Sequence, residues 1–301
     1  MIEAAVIGLR WMQYAAAAAA LGLLLFQAYG RGASGVARLS SIAAVAGLLL
    51  ALTALAGVVA QTAMMAGGWG AAFDPAALGY VAQSTGLGAA NLTRAGLALA
   101  GAALLLAGRT RRWARVAATV ALTGAVASFA WSGHGAATEG AGGMVHLASD
   151  IVHALAAAVW LGALPGFLVL LGRSQAAGIE TAARALADFA MIGTAAVSAL
   201  VVTGLVNAVF LAGADGLAVL PASSWGVLLM VKLGVFLVML GFAAHNRFRL
   251  TPALRRALTV GDDPGAATAG LRVSVGLEFL AGAILLGLVA AMGVQMPPVA
   301  M

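Results

Sequence analysis

The sequence predicts an all-α integral membrane protein, a bundle of about eight transmembrane helices with both termini on the outer (periplasmic or extracellular) side. Three observations predict it. Of 301 residues, 63% are hydrophobic and 9% charged, where soluble domains run about 45–50% and about 25%; the mean hydropathy is +1.03. The apolar residues fall into stretches long enough to cross a bilayer, which takes roughly 20 residues per helix. The basic residues gather in alternate connections between those stretches. So few charges cannot cover the surface of a 29.7 kDa globule, which excludes a soluble enzyme, a disordered chain and a nucleic-acid binder.

The spans follow in order. The first, 5–29, is a run of Ala and Leu stopped by Gly30 and Arg31. It is too long, and lacks the basic leader, for a cleaved signal peptide. The second, 41–66, ends at the breakers between Gly67 and Pro75, and the third, 88–108, begins past Thr85-Gly86. Only 109–112 part it from the fourth, 113–133, which runs into a glycine-rich loop reaching Gly143. The fifth, 144–172, contains a Gly162-x3-Gly166 pair, a spacing that lets helices approach closely. The sixth, 184–212, stops at Gly213 and Pro221, and the seventh, 222–246, at Arg247. The longest loop, 247–270, turns at Asp262-Asp263-Pro264 before the eighth span, 270–294. No internal repeat supports an inverted-repeat transporter fold. The chain reads as a single polytopic membrane domain, 1–301.

Thirteen of the sixteen basic residues lie in or beside the first, third, fifth and seventh loops, and the second, fourth and sixth loops hold none. Cytoplasmic loops are the ones enriched in Lys and Arg, so the odd loops are expected in the cytoplasm. The net charge of +6 is then a topogenic signal rather than a nucleic-acid patch.

With no cysteine, thiolate chemistry and Cys-type metal sites are excluded, and any metal must be held by His, Met, Asp or Glu. Ionisable side chains within a bilayer cost a few kcal/mol each and mark functional candidates. Lys232, Glu278 and Arg94 are candidates for an intramembrane charge pair or relay, with a Lys232–Glu278 ion pair the expected arrangement. The stems of Arg10 and Arg94 are long enough to snorkel toward the outer surface. The densest chemistry lies where the fourth span meets the fifth: Gly133-His134, then Met144-x-His146-x3-Asp150-x2-His153. Positions 146, 150 and 153 share one helical stripe. Along the axis His146 to Asp150 rises about 6 Å and His146 to His153 about 10.5 Å, so the stripe reads as successive stations more than one cage, with His134 completing the outermost. The plain alternative is a buried Asp–His pair that joins helices. Most methionines map to the same outer half, and thioether with imidazole favours copper, above all Cu(I), over hard ions.

These residues resemble the CopD/PcoD family of copper-resistance membrane proteins. The resemblance covers most of the chain. It rests on Asp74-Pro75 with Thr85-Gly86 and Arg94; on Gly133-His134; on His146-x3-Asp150-x2-His153-x6-Trp160-Leu161-Gly162; on Lys232-Leu233 with Asn246-Arg247 and Pro252; and on Glu278 followed by Pro297. It implies a multi-pass protein of the bacterial cytoplasmic (inner) membrane that moves copper ions inward from a periplasmic CopC-type carrier. It also implies ligand roles for His134, His146, His153 and Met144. Copper would be transported or bound, and the protein would not be an enzyme. Two other readings stay open. One is a haem b electron-transfer protein, for which His146 and His153 on one face of one helix are poorly placed. The other is a structural or accessory membrane subunit.

Overall fold

In hydrocarbon the backbone has no water to bind, so a chain this apolar must satisfy its N–H and C=O groups within helices, and Ala and Leu are strong helix formers. The structure, a computed structural model, describes residues 1–30, 32–108, 111–133, 138, 140–173, 175–216 and 220–298. Among them every regular element is helical. In chain order these are α1 (Ile2–Tyr29), α2 (Ala37–Met65), the short α3 (Pro75–Ser84), α4 (Gly86–Ala107), α5 (Arg112–Ala127), α6 (Ala141–Leu171), α7 (Ala176–Gly216), α8 (Ser224–His245), α9 (Thr251–Val260) and α10 (Gly265–Met292). A 3-10 turn, Ser128–Ser132, extends α5. Eight helical runs are long and apolar enough to cross a membrane: α1, α2, α4, α5 with its turn, α6, α7 as far as Gly213, α8 continuing through α9, and α10.

The helix ends carry ordinary stop and start signals. Glycine caps α1, α4, α6, α9 and α10 at Gly30, Gly108, Gly172, Gly261 and Gly293. Asp74 accepts the Ala77 N–H at 3.0 Å and starts α3 with Pro75 at its first turn; Thr85 accepts the Gly88 N–H at 2.9 Å and starts α4. Such caps satisfy N–H groups that a helix cannot pair internally. The expected long loop 247–270 is instead largely helical. A π-helical turn, Asn246–Leu250, carries α8 directly into α9. Its Arg residues lower the hydropathy of that segment while leaving it amphipathic, which is why apolarity alone ends the span too early.

Packing centres on α1 and α6. α1 lies against α2 and α6, α2 against α4, α4 against α5, α6 against α7, and α8 against α10, which returns to α6 and α1. The α1–α6 crossing is set by glycine. A Cβ on Gly162 would meet the Ala18 carbonyl oxygen at 2.3 Å and the Gly22 Cα at 2.5 Å. Gly166 sits one turn on, against the Phe26 ring. The Gly162-x3-Gly166 spacing is thus the contact surface of α6 with α1. We expect Gly162→Ala to destabilise by about 1–3 kcal/mol through overpacking, read as a lower thermal midpoint in detergent. Gly241→Ala, where an added Cβ meets nothing within 4 Å, should leave the midpoint unchanged. By contrast α8 buries only Trp225, Gly226 and Met239. A proline, Pro165, lies inside α6.

Candidate functional site

Two cavities lie at opposite ends of the group formed by α6, α7, α8 and α10. The one at the histidine end has a volume of about 270 Å³ and is lined by Asp150, His153, Asn207, Lys232, Trp225 and Met292 among others. The one at the arginine end has a volume of about 800 Å³, with Trp160, Asn246, Arg247 and Glu278 in its wall.

At the histidine end the α6 stripe meets a second stripe on α7. His146, 1% exposed, stacks on Phe210 with ring centroids 4.7 Å apart and an interplanar angle of 7°. Asp150 Oδ1 accepts the Asn207 side-chain N–H at 2.6 Å. His153 Nδ1 lies 2.9 Å from Thr203 Oγ1. Thr203, Asn207 and Phe210 repeat the i, i+4, i+7 spacing in the opposite chain direction, as antiparallel neighbours must. The Thr203 hydroxyl donates to the Ala199 carbonyl at 2.6 Å, so its oxygen accepts from His153 Nδ1–H. That fixes the tautomer: Nε2 carries the lone pair, the atom a metal ion takes. His146 Nδ1 lies 2.8 Å from Thr138 Oγ1. Lys232 lies within electrostatic reach of both Asp150 and His153.

Of the expected ligand set, Met144 stands elsewhere. His134 lies outside the described residues. The Met144 side chain is 78% exposed, because a residue two positions before His146 falls on the opposite helix face. Met292, by contrast, is 7% exposed and lines the cavity. Among the described residues no three His, Asp or Glu side chains form a group that could hold a metal ion.

The three intramembrane charges do not form the expected set. Among the described residues Lys232 and Glu278 make no ion pair, since they face different cavities. Glu278, 3% exposed, accepts from Trp160 Nε1 at 2.8 Å and from the Asn246 side-chain N–H at 3.0 Å. Asn246 lies about 21 Å further along the helix from Lys232 at 1.5 Å per residue. Arg94 does not snorkel. It is 1% exposed, with its guanidinium 3.8 Å from the Phe129 ring centroid. Its donors go to Gln13 Oε1 at 2.8 Å, Asn91 Oδ1 at 3.1 Å, Ser128 Oγ and carbonyl at 3.1 Å each, and Ser132 Oγ at 2.8 Å. Five neutral acceptors from α1, α4 and the turn after α5 use all five N–H groups, so the head has no need of the surface.

Residues 1–144 match the family model described as "Copper resistance protein D-like, N-terminal domain", and 183–292 match "Copper resistance protein D". Over 304 aligned positions the chain is 35% identical to Copper resistance protein D of Pseudomonas syringae pv. tomato, covering 97% of this chain and 96% of that one. The chain belongs to the copper resistance protein D family. It is also 28% identical over 124 residues to Inner membrane protein YebZ of Escherichia coli (strain K12), covering 41% and 42% of the two chains. No solved structure matches. The protein is therefore a multi-pass membrane member of that family.

The two matched regions leave most of α6 and its stripe between them, in 145–182, while the full-length relative spans that segment. Of the motif residues that carry the family resemblance, Asp74, Pro75, Thr85 and Gly86 are helix starts, and Asn246 holds Glu278. The sequence reading missed Thr203, Asn207 and Phe210. A stripe on the sixth span spaced as the mirror of the fifth-span stripe is the signal that finds them.

Proposed function

We propose that this protein carries copper ions across the bacterial cytoplasmic membrane, inward, by way of a His and Asp path at the end where α6 begins. The carrying observation is the paired stripe: His146, Asp150 and His153, each set against Phe210, Asn207 or Thr203 of α7, with Asp150 and His153 opening on one cavity. The positive-inside rule puts this end on the periplasmic side and the arginine end in the cytoplasm. Copper is the cargo. It arrives at His146, with His134 as a further ligand, and passes to Asp150 and to Nε2 of His153. Imidazole suits copper, and Met292 adds a thioether to the cavity wall. Lys232 supplies a positive charge beside Asp150, so an ion in the cavity is held less tightly than the ligands alone would hold it, as release requires. A separate periplasmic CopC-type carrier is the proposed donor. Family membership supports a copper-related role, and Copper resistance protein D of Pseudomonas syringae pv. tomato carries that role in its name.

Two measurements test it. Purified wild type should retain copper after chromatography and His146→Ala should retain less. Cells with His146→Ala and His153→Ala should accumulate less copper than wild type. Equal copper in both comparisons would remove the ligand roles.

A further inference from the structure

We propose that Glu278 is a proton-exchange site reached from the arginine end, and that its protonation controls the partition between the two cavities. The link to copper rests on the transport reading above; the proton site does not.

Glu278 is buried in the wall of the larger cavity and is held by neutral donors alone. The elements around it offer little counter-charge. α6 presents Trp160, the turn after α8 presents Asn246, and α7 presents the neutral Thr194 and Ser198. The arginines of the wall are Arg247, Arg255 and Arg256. All three are exposed, and Arg247 is committed across the gap to the Ala190 carbonyl and Thr194 Oγ1. On α10 itself Arg272 donates to the Leu171 carbonyl at 2.6 Å. A cavity of about 800 Å³ has room for a chain of waters at about 30 Å³ each. A proton can therefore travel from the arginine end to the carboxylate.

Asn246 can give the two protonation states the same number of hydrogen bonds. Its Nδ2 donates to the carboxylate while its Oδ1 is buried without a hydrogen-bond partner. When a hydronium in the cavity gives its proton to Glu278, water is left behind and the carboxyl gains an O–H. A half-turn of the Asn246 amide then lets that O–H donate to Oδ1. No other bond need break, and the reverse step returns the proton to cavity water.

The consequence falls on Trp160. It is 2% exposed, its N–H bonds Glu278, and its ring meets Phe236 edge-on at 5.7 Å. Its neighbour Leu161 lines the other cavity. Trp160 and Leu161 thus form the partition. Hydrogen bonds to a charged acceptor are roughly twice as strong as neutral ones, so protonation loosens the hold on Trp160.

The test uses purified protein in proteoliposomes with the pH set separately on each side, together with infrared difference spectra of the carboxyl band during titration. In wild type a carboxyl band should titrate, and copper flux should change about tenfold per pH unit at the arginine side on the limb where one site titrates. Glu278→Gln should lose the band and the pH dependence. Trp160→Phe, which keeps a ring and lacks the N–H, should retain the band but shift the flux profile. Should Glu278→Gln fail to fold, Asn246→Leu must move the band's titration midpoint instead. A band that persists in Glu278→Gln, or an Asn246→Leu midpoint identical to wild type, overturns the proposal. A titrating Glu278 band in a wild type that moves no copper would sink the copper reading and leave the proton site standing.

Discussion

Arg94→Ala should be the most destabilising single substitution in the molecule. It orphans acceptors on Gln13, Asn91, Ser128 and Ser132 together. Each unsatisfied buried group costs about 1–3 kcal/mol. Rotatable hydroxyls recover part of this, so a loss of about 4 kcal/mol is expected. The reading is a lowered thermal midpoint in detergent and reduced protein in the membrane fraction. Arg94→Lys should recover little, because an ammonium offers three donors from one point where the guanidinium offers five in a planar fork. A wild-type midpoint for Arg94→Ala would show that the network contributes nothing. The arginine joins α1, α4 and the turn after α5, and Phe129 beneath its guanidinium also lines the cavity of Asp150 and His153, so loss of the network should also weaken copper binding on the proposed path.

On the proposed copper path, Thr203→Val should have the largest effect on copper binding of any substitution outside the proposed ligands. It keeps the shape of the side chain and removes the oxygen that accepts from His153 Nδ1–H. The imidazole is then free to turn or to move its proton to Nε2. Loss of such an outer partner typically costs 10–100-fold in metal affinity, and about tenfold is expected here. Asn207→Leu should act similarly through Asp150, whose carboxylate it leaves with one donor fewer. The decisive comparison is a double-mutant cycle. Thr203→Val added to His153→Ala should weaken copper binding no further, because the two act on one atom. Additive losses would mean that Thr203 acts by another route.

What could be read beforehand follows from which physical signals survive in one dimension. Hydrophobic runs locate spans because lipid penalises every unpaired backbone group, and the eight helical runs are legible for that reason. The stripe 146, 150, 153 is legible because its spacing and its chemistry coincide on one helix. Partners across helices are not legible, because depth can be counted along a span while rotation about its axis is set by packing. That is why the sequence suggests a Lys232–Glu278 pair while the Glu278 carboxylate faces Trp160 and Asn246. It is also why the sequence suggests a snorkelling Arg94, whose acceptors are neutral residues carrying no signal singly. Thr203 and Asn207 escaped for the same reason. Asp74-Pro75 and Thr85-Gly86 stand out in the sequence only through the family resemblance, and the structure uses them to start α3 and α4.

Pro165 has a mechanical consequence. Proline has no N–H to return to the carbonyl one turn earlier, here that of Leu161, so α6 lacks a rung of its ladder beside Trp160 and Leu161. The ladder is accordingly weakest at that rung. The stretch before it bears His146, Asp150 and His153, and the stretch after it runs to the arginine end. The missing rung lies between the glycine crossing at Gly162 and the Phe26 contact at Gly166. With α1 holding the helix on both sides of that point, any bend opening there would leave the α1 contact in place and displace the histidine stretch, most of all at its far tip.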